Sequence, residues 1–74
     1  MSGKTIKETI QSAVSKKDGH KAGLAVDTLR IKRGFDYAQV FAVFKIVAIE
    51  LGIDYTLDDH EELMELADEY DSFH

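Results

Sequence analysis

The sequence lacks cysteine altogether, and this absence excludes several kinds of chemistry at once. Without cysteine the chain can form no disulfide, no thiolate metal site and no cysteine nucleophile. A secreted chain of this length usually needs cross-links, because so small a core supplies only about 3–5 kcal/mol. We therefore expect a reducing, cytoplasmic location, with residues 1–74 forming one small domain.

Proline, internal repeats and linker-like segments are also missing, and no apolar run is long enough for a bilayer. The longest such run lies between Tyr37 and Leu51 and contains Lys45 and Glu50. A membrane span needs about 20 apolar residues. The first residues contain no apolar stretch of the signal-peptide kind. We therefore expect no leader and no association with a membrane.

Positive charge is absent from the last part of the chain. Residues 54–74 carry nine Asp and Glu and no Lys or Arg, whereas residues 1–33 carry eight Lys and Arg against three acids. The net charge of −5 conceals this asymmetry. Either the basic front packs on the acidic back, or one of the two regions is an interaction surface.

The apolar stretch itself has the end signals of a helix. Asp36 is a favourable N-cap, and Gln39 stands where a capping box places Glu or Gln. At the other end, Gly52 suits the left-handed position that follows a helix. A buried strand would be shorter and would lack these caps. The pattern predicts a helix over residues 37–51.

This third helix of the chain is apolar on nearly every side. At about 100° per residue, one broad face is predicted to meet the core: Tyr37, Val40, Phe41, Phe44, Val47, Ala48 and Leu51. Val43, Ile46 and Ile49 form a second apolar stripe outside that face. A helix with two apolar sides must be covered on both. The first or second helix could cover the stripe, or another chain could.

Three further segments complete the predicted fold. A Thr5–Glu8 capping box begins a helix over residues 6–16, Thr56 begins one over residues 57–70, and another lies within residues 20–33. The sequence therefore predicts an all-α fold, a compact bundle of about four short helices with a central apolar helix. The stretch TLRIK alternates like a strand, so the minority alternative is an α+β fold with a short strand within residues 24–33.

Candidate catalytic and metal motifs are incomplete. SGKT at residues 2–5 lacks the upstream glycine of a phosphate-binding loop, and HEELM at residues 60–64 lacks the second histidine of a zinc protease. His20, His60 and His74 share no spacing, and we expect each at the surface. We expect no enzyme, no cofactor, no metal and no small-molecule substrate, in a chain with little room for a pocket of several hundred cubic ångströms.

A nucleic-acid-associated protein is one alternative. Six side chains of the basic N-terminal half could form a basic face around the second helix: Lys16, Lys17, Lys21, Arg30, Lys32 and Arg33. The third helix is too apolar to serve as a recognition helix in a DNA groove. The acidic last helix would also repel phosphate.

A phosphate mimic is the opposite alternative. Carboxylates spaced by three and four residues would form a row on the last helix: Asp58, Glu61, Glu65 and Asp68. Such a row could occupy a basic, nucleic-acid-binding groove of another protein. Small acidic inhibitors of this kind are carried by bacteriophages, although this comparison rests on composition alone.

The second apolar stripe favours a third interpretation. A chain this short cannot easily cover Val43, Ile46 and Ile49 with its own helices. We therefore expect a non-enzymatic protein–protein interaction module that self-associates through the central helix, most simply as a homodimer.

Overall fold

The computed structural model describes residues 5–72, and the side chains of residues 5–70. These residues form four α-helices, and a π-helical turn continues the second: α1 (Ile6–Lys16), α2 (Gly19–Asp27), the π-helical turn (Thr28–Lys32), α3 (Tyr37–Glu50) and α4 (Leu57–Ser72). The predicted all-α bundle is confirmed. No helix in residues 5–72 is long and apolar enough to cross a membrane.

The strand alternative within residues 24–33 is wrong, because TLRIK forms the π-helical turn instead. This turn keeps Leu29 in the core and leaves Ile31 81% exposed. The backbone N–H groups of Gly34 and Phe35 donate to the carbonyls of Arg30 and Leu29, each at 3.1 Å. Continued helical bonding satisfies the backbone without a partner strand, and five alternating residues cannot outweigh that.

The predicted N-terminal caps of α1 and α3 are confirmed. The Thr5 hydroxyl accepts from the backbone N–H of Glu8 at 3.2 Å, and the Glu8 carboxylate accepts from the backbone N–H of Thr5 at 2.9 Å. Asp36 and Gln39 exchange the same two bonds at 2.9 and 3.0 Å. Both helices therefore begin where short-range sequence signals place them.

The end of α3 is also as predicted. Gly52 adopts a φ of 75°, in the left-handed region that disfavours a side chain. Its N–H donates to the Ile49 carbonyl, and that of Ile53 donates to the Ala48 carbonyl, both at 2.9 Å. This pair of bonds is the Schellman motif, which closes the helix and directs Ile53 back towards it.

The connection between α1 and α2 is a tight turn at Lys17 and Asp18. Lys17 takes the left-handed conformation, with a φ of 52°, and ends α1. Asp18 then caps α2 by accepting from the backbone N–H groups of His20 and Lys21 at 3.1 and 3.3 Å. Asp18 therefore starts the second helix directly after Lys17 ends the first.

The helices share one core. Helix α1 packs against α2 and α3, and α2 makes its most extensive contact with α4. Small residues allow this contact, since a Cβ on Gly19 would lie 2.7 Å from the carbonyl carbon of Leu66. The largest fully buried side chains are Phe44, Ile10, Leu29, His60 and Val40.

The predicted core face of α3 is buried at its centre and open at its ends. Phe41 is partly buried, whereas Tyr37 and Leu51, in the first turn and just past the end of α3, are about half exposed. The buried members of the face are Val40, Phe44, Val47 and Ala48. Phe44 marks the middle of the side that α3 turns towards its own core.

Candidate interaction surface

The side of α3 opposite Phe44 is apolar and faces solvent. Ile46 and Ile49 are 58% and 61% exposed, and Ala38 and Ala42 are exposed as well. At about 100° per residue these four side chains lie within one sector of the helix, and no charged residue falls between them. We call Ala38, Ala42, Ile46 and Ile49 the outer face of α3.

Val43 does not belong to this surface, although the sequence grouped it with Ile46 and Ile49. Its side chain is partly buried and packs against the core. On the helix it lies about 40° from the buried Val47, but about 60° from Ile46.

The alternative that α1 or α2 covers the stripe is wrong for Ile46 and Ile49, which no helix in residues 5–72 buries.

The outer face has a cation on one flank and an anion on the other. Lys45 lies towards the segment that precedes α4, where its ammonium donates to the Tyr55 carbonyl at 3.3 Å and lies 5.7 Å from the Phe41 ring centroid. Glu50 lies towards α1, where its carboxylate pairs with the Lys7 ammonium at 2.7 Å. Both ends of that pair are half exposed.

His60 was expected at the surface, and this expectation is wrong. Its side chain is completely buried between α3 and α4, and its Nδ1 lies 2.7 Å from the Tyr55 hydroxyl. Its ring centroid lies 5.2 to 5.7 Å from those of Tyr37, Phe41, Phe44 and Tyr55. His60 therefore fills the space between α4 and the inward side of α3, which leaves the outer face turned to solvent.

The electrostatics of this cluster keep its rings neutral. Burial lowers the pKa of His60, because the imidazolium would lose its hydration. Burial also raises the pKa of the Tyr55 hydroxyl, with Asp59 adding to the effect. Nε2 of His60 is buried without a hydrogen-bond partner among the described residues, which a neutral ring tolerates better than a charged one.

The other two histidines have different outcomes. His20 is exposed, as expected, with its ring centroid 4.7 Å from that of Tyr70. His74 lies outside the described residues, as do the first three residues of the SGKT stretch. The fourth, Thr5, caps α1.

The predicted acidic row is present on α4. All four of its side chains, Asp58, Glu61, Glu65 and Asp68, are exposed. Thr56 caps the helix as expected, and its partner in a capping box is Asp59, at 3.0 and 3.2 Å. The bonds from Thr56 hold the pKa of Asp59 below its usual value, and Lys17 lowers it further.

The basic residues do not form one continuous surface. Lys16, Lys17 and Lys21 lie around the start of α2, whereas Arg30, Lys32 and Arg33 lie at the end of the π-helical turn. The nine residues of α2 and the five of the turn make a helix about 20 Å long, so the groups are at opposite ends. Lys17 is also paired with Glu62 of α4 at 2.7 Å, which raises the pKa of its ammonium.

The structure offers more room for a small molecule than the sequence indicated. An open groove of about 570 Å³ lies between the π-helical turn, the start of α3 and α4, and its apolar lining comprises Val26, Phe35, Tyr37, Val40 and Met64. Arg30 and Asp36 also line it, but the Asp36 carboxylate already caps α3. The expectation that the chain has little room for a pocket of several hundred cubic ångströms is therefore wrong.

Within residues 5–72, no three His, Asp or Glu side chains are grouped so that they could hold a metal ion. No protein-family model, no curated protein and no solved structure matches the chain.

Proposed function

We propose that the protein is a non-enzymatic, cytoplasmic interaction module that self-associates through the outer face of α3. The observation that carries this proposal is the exposure of Ile46 and Ile49, beside Ala38 and Ala42, on the side of α3 opposite its core. Contiguous apolar surface of this kind marks interaction sites in proteins. Each Å² of it removed from water contributes about 25 cal/mol.

A second copy of the chain suits this surface better than a dissimilar partner. A two-fold pair brings the same apolar side chains together from both copies, and such isologous dimers are the commonest oligomers. The pairing would also enlarge the core of a domain whose size leaves it marginal alone. The alanines at positions 38 and 42 would let two helices approach closely.

Two matched substitutions test the proposal. We expect Ile46→Glu to convert the protein to a monomer of 8.3 kDa, as measured by light scattering at about 50 μM. Ile31→Glu makes the same change at a residue that is even more exposed but lies off the outer face, and we expect it to leave the mass unchanged. Both variants should stay folded, because neither change buries a charge within one chain, and Ile46→Glu should lose only the stabilisation that pairing adds. Equal masses for the parent and Ile46→Glu would contradict the proposal.

The acidic row supports a second candidate, a phosphate mimic that inhibits a basic nucleic-acid-binding protein. The favouring observation is that Asp58, Glu61 and Glu65 are exposed on one side of α4 and form no ion pair with a described residue. Their spacing places neighbouring carboxylates about 5–6 Å apart at Cβ. Changing Glu61 and Glu65 together to Lys should abolish capture of such a partner without changing the melting temperature, because neither forms an ion pair with a described residue. Gross unfolding of this variant would contradict it.

A further inference from the structure

The spacing of the residues along the outer side of α3 matches the repeat of a coiled coil. Gln39, Ala42, Ile46 and Ile49 are separated by three, four and three residues, as the a and d positions of a heptad are. In that register Lys45 and Glu50 take the g and e positions, from which salt bridges form between helices. Phe44 takes the f position, opposite the seam, so a seam does not compete with the core that already buries Phe44.

We infer that two copies of the chain pair through α3 in parallel, about a two-fold axis that runs along the helices. This inference rests on the self-association proposed above and adds the orientation of the partner. Its support is the charge on the two flanks, where Lys45 lies on the side of the α3–α4 connection and Glu50 lies on the side of α1.

The two possible orientations bring different charges together. In a parallel pair, each flank of one helix faces the opposite flank of the other, so Lys45 approaches the partner's Glu50, and the contact occurs twice. In an antiparallel pair each flank faces its own copy, so overlapping the seam residues 39–49 of the two helices brings Lys45 close to the partner's Lys45 and leaves Glu50 without a cation from the partner. Because like charges repel and opposite charges attract, the flanks favour the parallel pair. Glu50 would then lie between Lys7 of its own chain and the partner's Lys45.

Gln39 agrees with this register. It occupies an a position, where a single polar residue fixes the alignment of two parallel helices at a cost in stability. Its side-chain oxygen accepts a hydrogen bond from the backbone N–H of Asp36 in the capping box. Its amide nitrogen belongs to an exposed side chain and can donate to the partner's Gln39.

Single cysteines test the orientation cleanly, because the chain has none of its own. In a parallel pair each seam position faces its own copy, so Ala42→Cys alone and Ile49→Cys alone should each give a covalent dimer on mild oxidation. Ile31→Cys is the control, since residue 31 is exposed but lies off the seam. Non-reducing electrophoresis should show the dimer for the first two variants and a monomer for the control.

The outcomes separate the orientation from self-association itself. Cross-linking only in a mixture of Ala42→Cys with Ile46→Cys, a d and an a position that face each other in an antiparallel pair, while the parent keeps a dimer mass, would establish an antiparallel pair and overturn this inference alone. A monomer mass for the parent, with no cross-link in any sample, would overturn both proposals. Equal cross-linking of the Ile31→Cys control would show that random collision produces the product, and it would also count against the inference.

Charge substitutions provide a second, independent readout. Lys45→Glu and Glu50→Lys each place like charges across a parallel pair, so each should raise the dissociation constant several-fold at low salt. Combining them restores opposite charges, and the double variant should return close to the parent. Dissociation constants that do not respond to either single substitution would contradict the parallel arrangement.

Discussion

His60 places a titratable ring inside an otherwise apolar cluster. Its single described hydrogen bond runs to the Tyr55 hydroxyl, and its other ring nitrogen is buried without a partner. Protonating this buried ring would create an imidazolium that is shielded from water and bonded to no acidic group, and this costs free energy. The folded chain therefore binds the neutral form of His60 preferentially.

The pH dependence of stability follows from this preference. The pKa of His60 is lowered on folding from the ordinary value of 6.5. Below that value the unfolded chain takes up a proton that the folded chain excludes, so the stabilising contribution is complete above pH 6.5 and is lost as the pH falls. We expect urea denaturation to give a lower free energy of unfolding at pH 5.5 than at pH 7.5, by no more than about 1.4 kcal/mol, which is the limit for one group that stays neutral in the folded chain.

Two histidine variants assign this effect. His60→Gln should flatten the difference between the two pH values, whereas His20→Gln, at an exposed histidine, should keep it. A parent protein that is equally stable at both pH values would show that His60 does not titrate as the structure requires.

The burial of His60 could have been read from the sequence only in part. His60, Leu63 and Ala67 are spaced by three and four residues, so His60 lies on the apolar stripe of α4. The surrounding acids instead favoured a solvated position. What local spacing cannot supply is the Tyr55 hydroxyl and the aromatic rings of α3, because these meet His60 only in the folded chain.

At the scale of helices, the close approach of α2 to α4 depends on one glycine. A Cβ on Gly19 would lie 2.7 Å from both the carbonyl carbon and the carbonyl oxygen of Leu66, and these backbone atoms cannot move independently. A Cβ on Gly23 would lie 3.7 Å from Cβ of Ala67, which is ordinary contact. The two glycines of α2 therefore differ in what they tolerate.

Alanine substitutions at these two positions should have opposite effects. Gly19→Ala forces the helices apart, and we expect it to lower the free energy of unfolding by about 1–3 kcal/mol. Gly23→Ala gains helix propensity, worth up to about 1 kcal/mol, and should leave stability unchanged or raise it. Thermal melts of both variants measure the difference. Equal loss in both would indicate that α2 and α4 are not packed as closely as described.

The helix boundaries show which structural features can be predicted from the sequence. The caps at Thr5, Asp36 and Gly52 were predicted correctly because each depends on residues within one turn. The π-helical turn was not predicted, since its course depends on burying Leu29 against other helices. Local alternation in TLRIK carried no information about that packing.

For the whole molecule, the charge distribution bears on nucleic-acid binding. The six basic residues of the predicted basic face are divided between the start of α2 and the end of the π-helical turn, and an exposed acidic row occupies α4. Because phosphate binding weakens steeply with salt, we expect no shift of duplex DNA or single-stranded RNA at about 200 mM salt, even if a weak shift occurs at about 50 mM. A shift that persists at the higher salt would contradict this and support the basic surface as a binding site.

The outer face of α3 was predicted in outline and corrected in detail. Helical periodicity identified a second apolar stripe, but it could not show that Val43 turns into the core while Ala38 and Ala42 join Ile46 and Ile49 at the surface. That distinction depends on where the neighbouring helices lie. The small size of the domain and the exposure of Ile46 and Ile49 together favour self-association.

The mass of the unmodified protein as a function of concentration tests this proposal most directly. Sedimentation equilibrium between about 1 and 100 μM should show the mass rise from that of one 8.3 kDa chain to that of two, with a single dissociation constant. The rise should be absent in Ile46→Glu and present in Ile31→Glu. A parent protein that keeps the mass of one chain throughout this range would contradict self-association through α3.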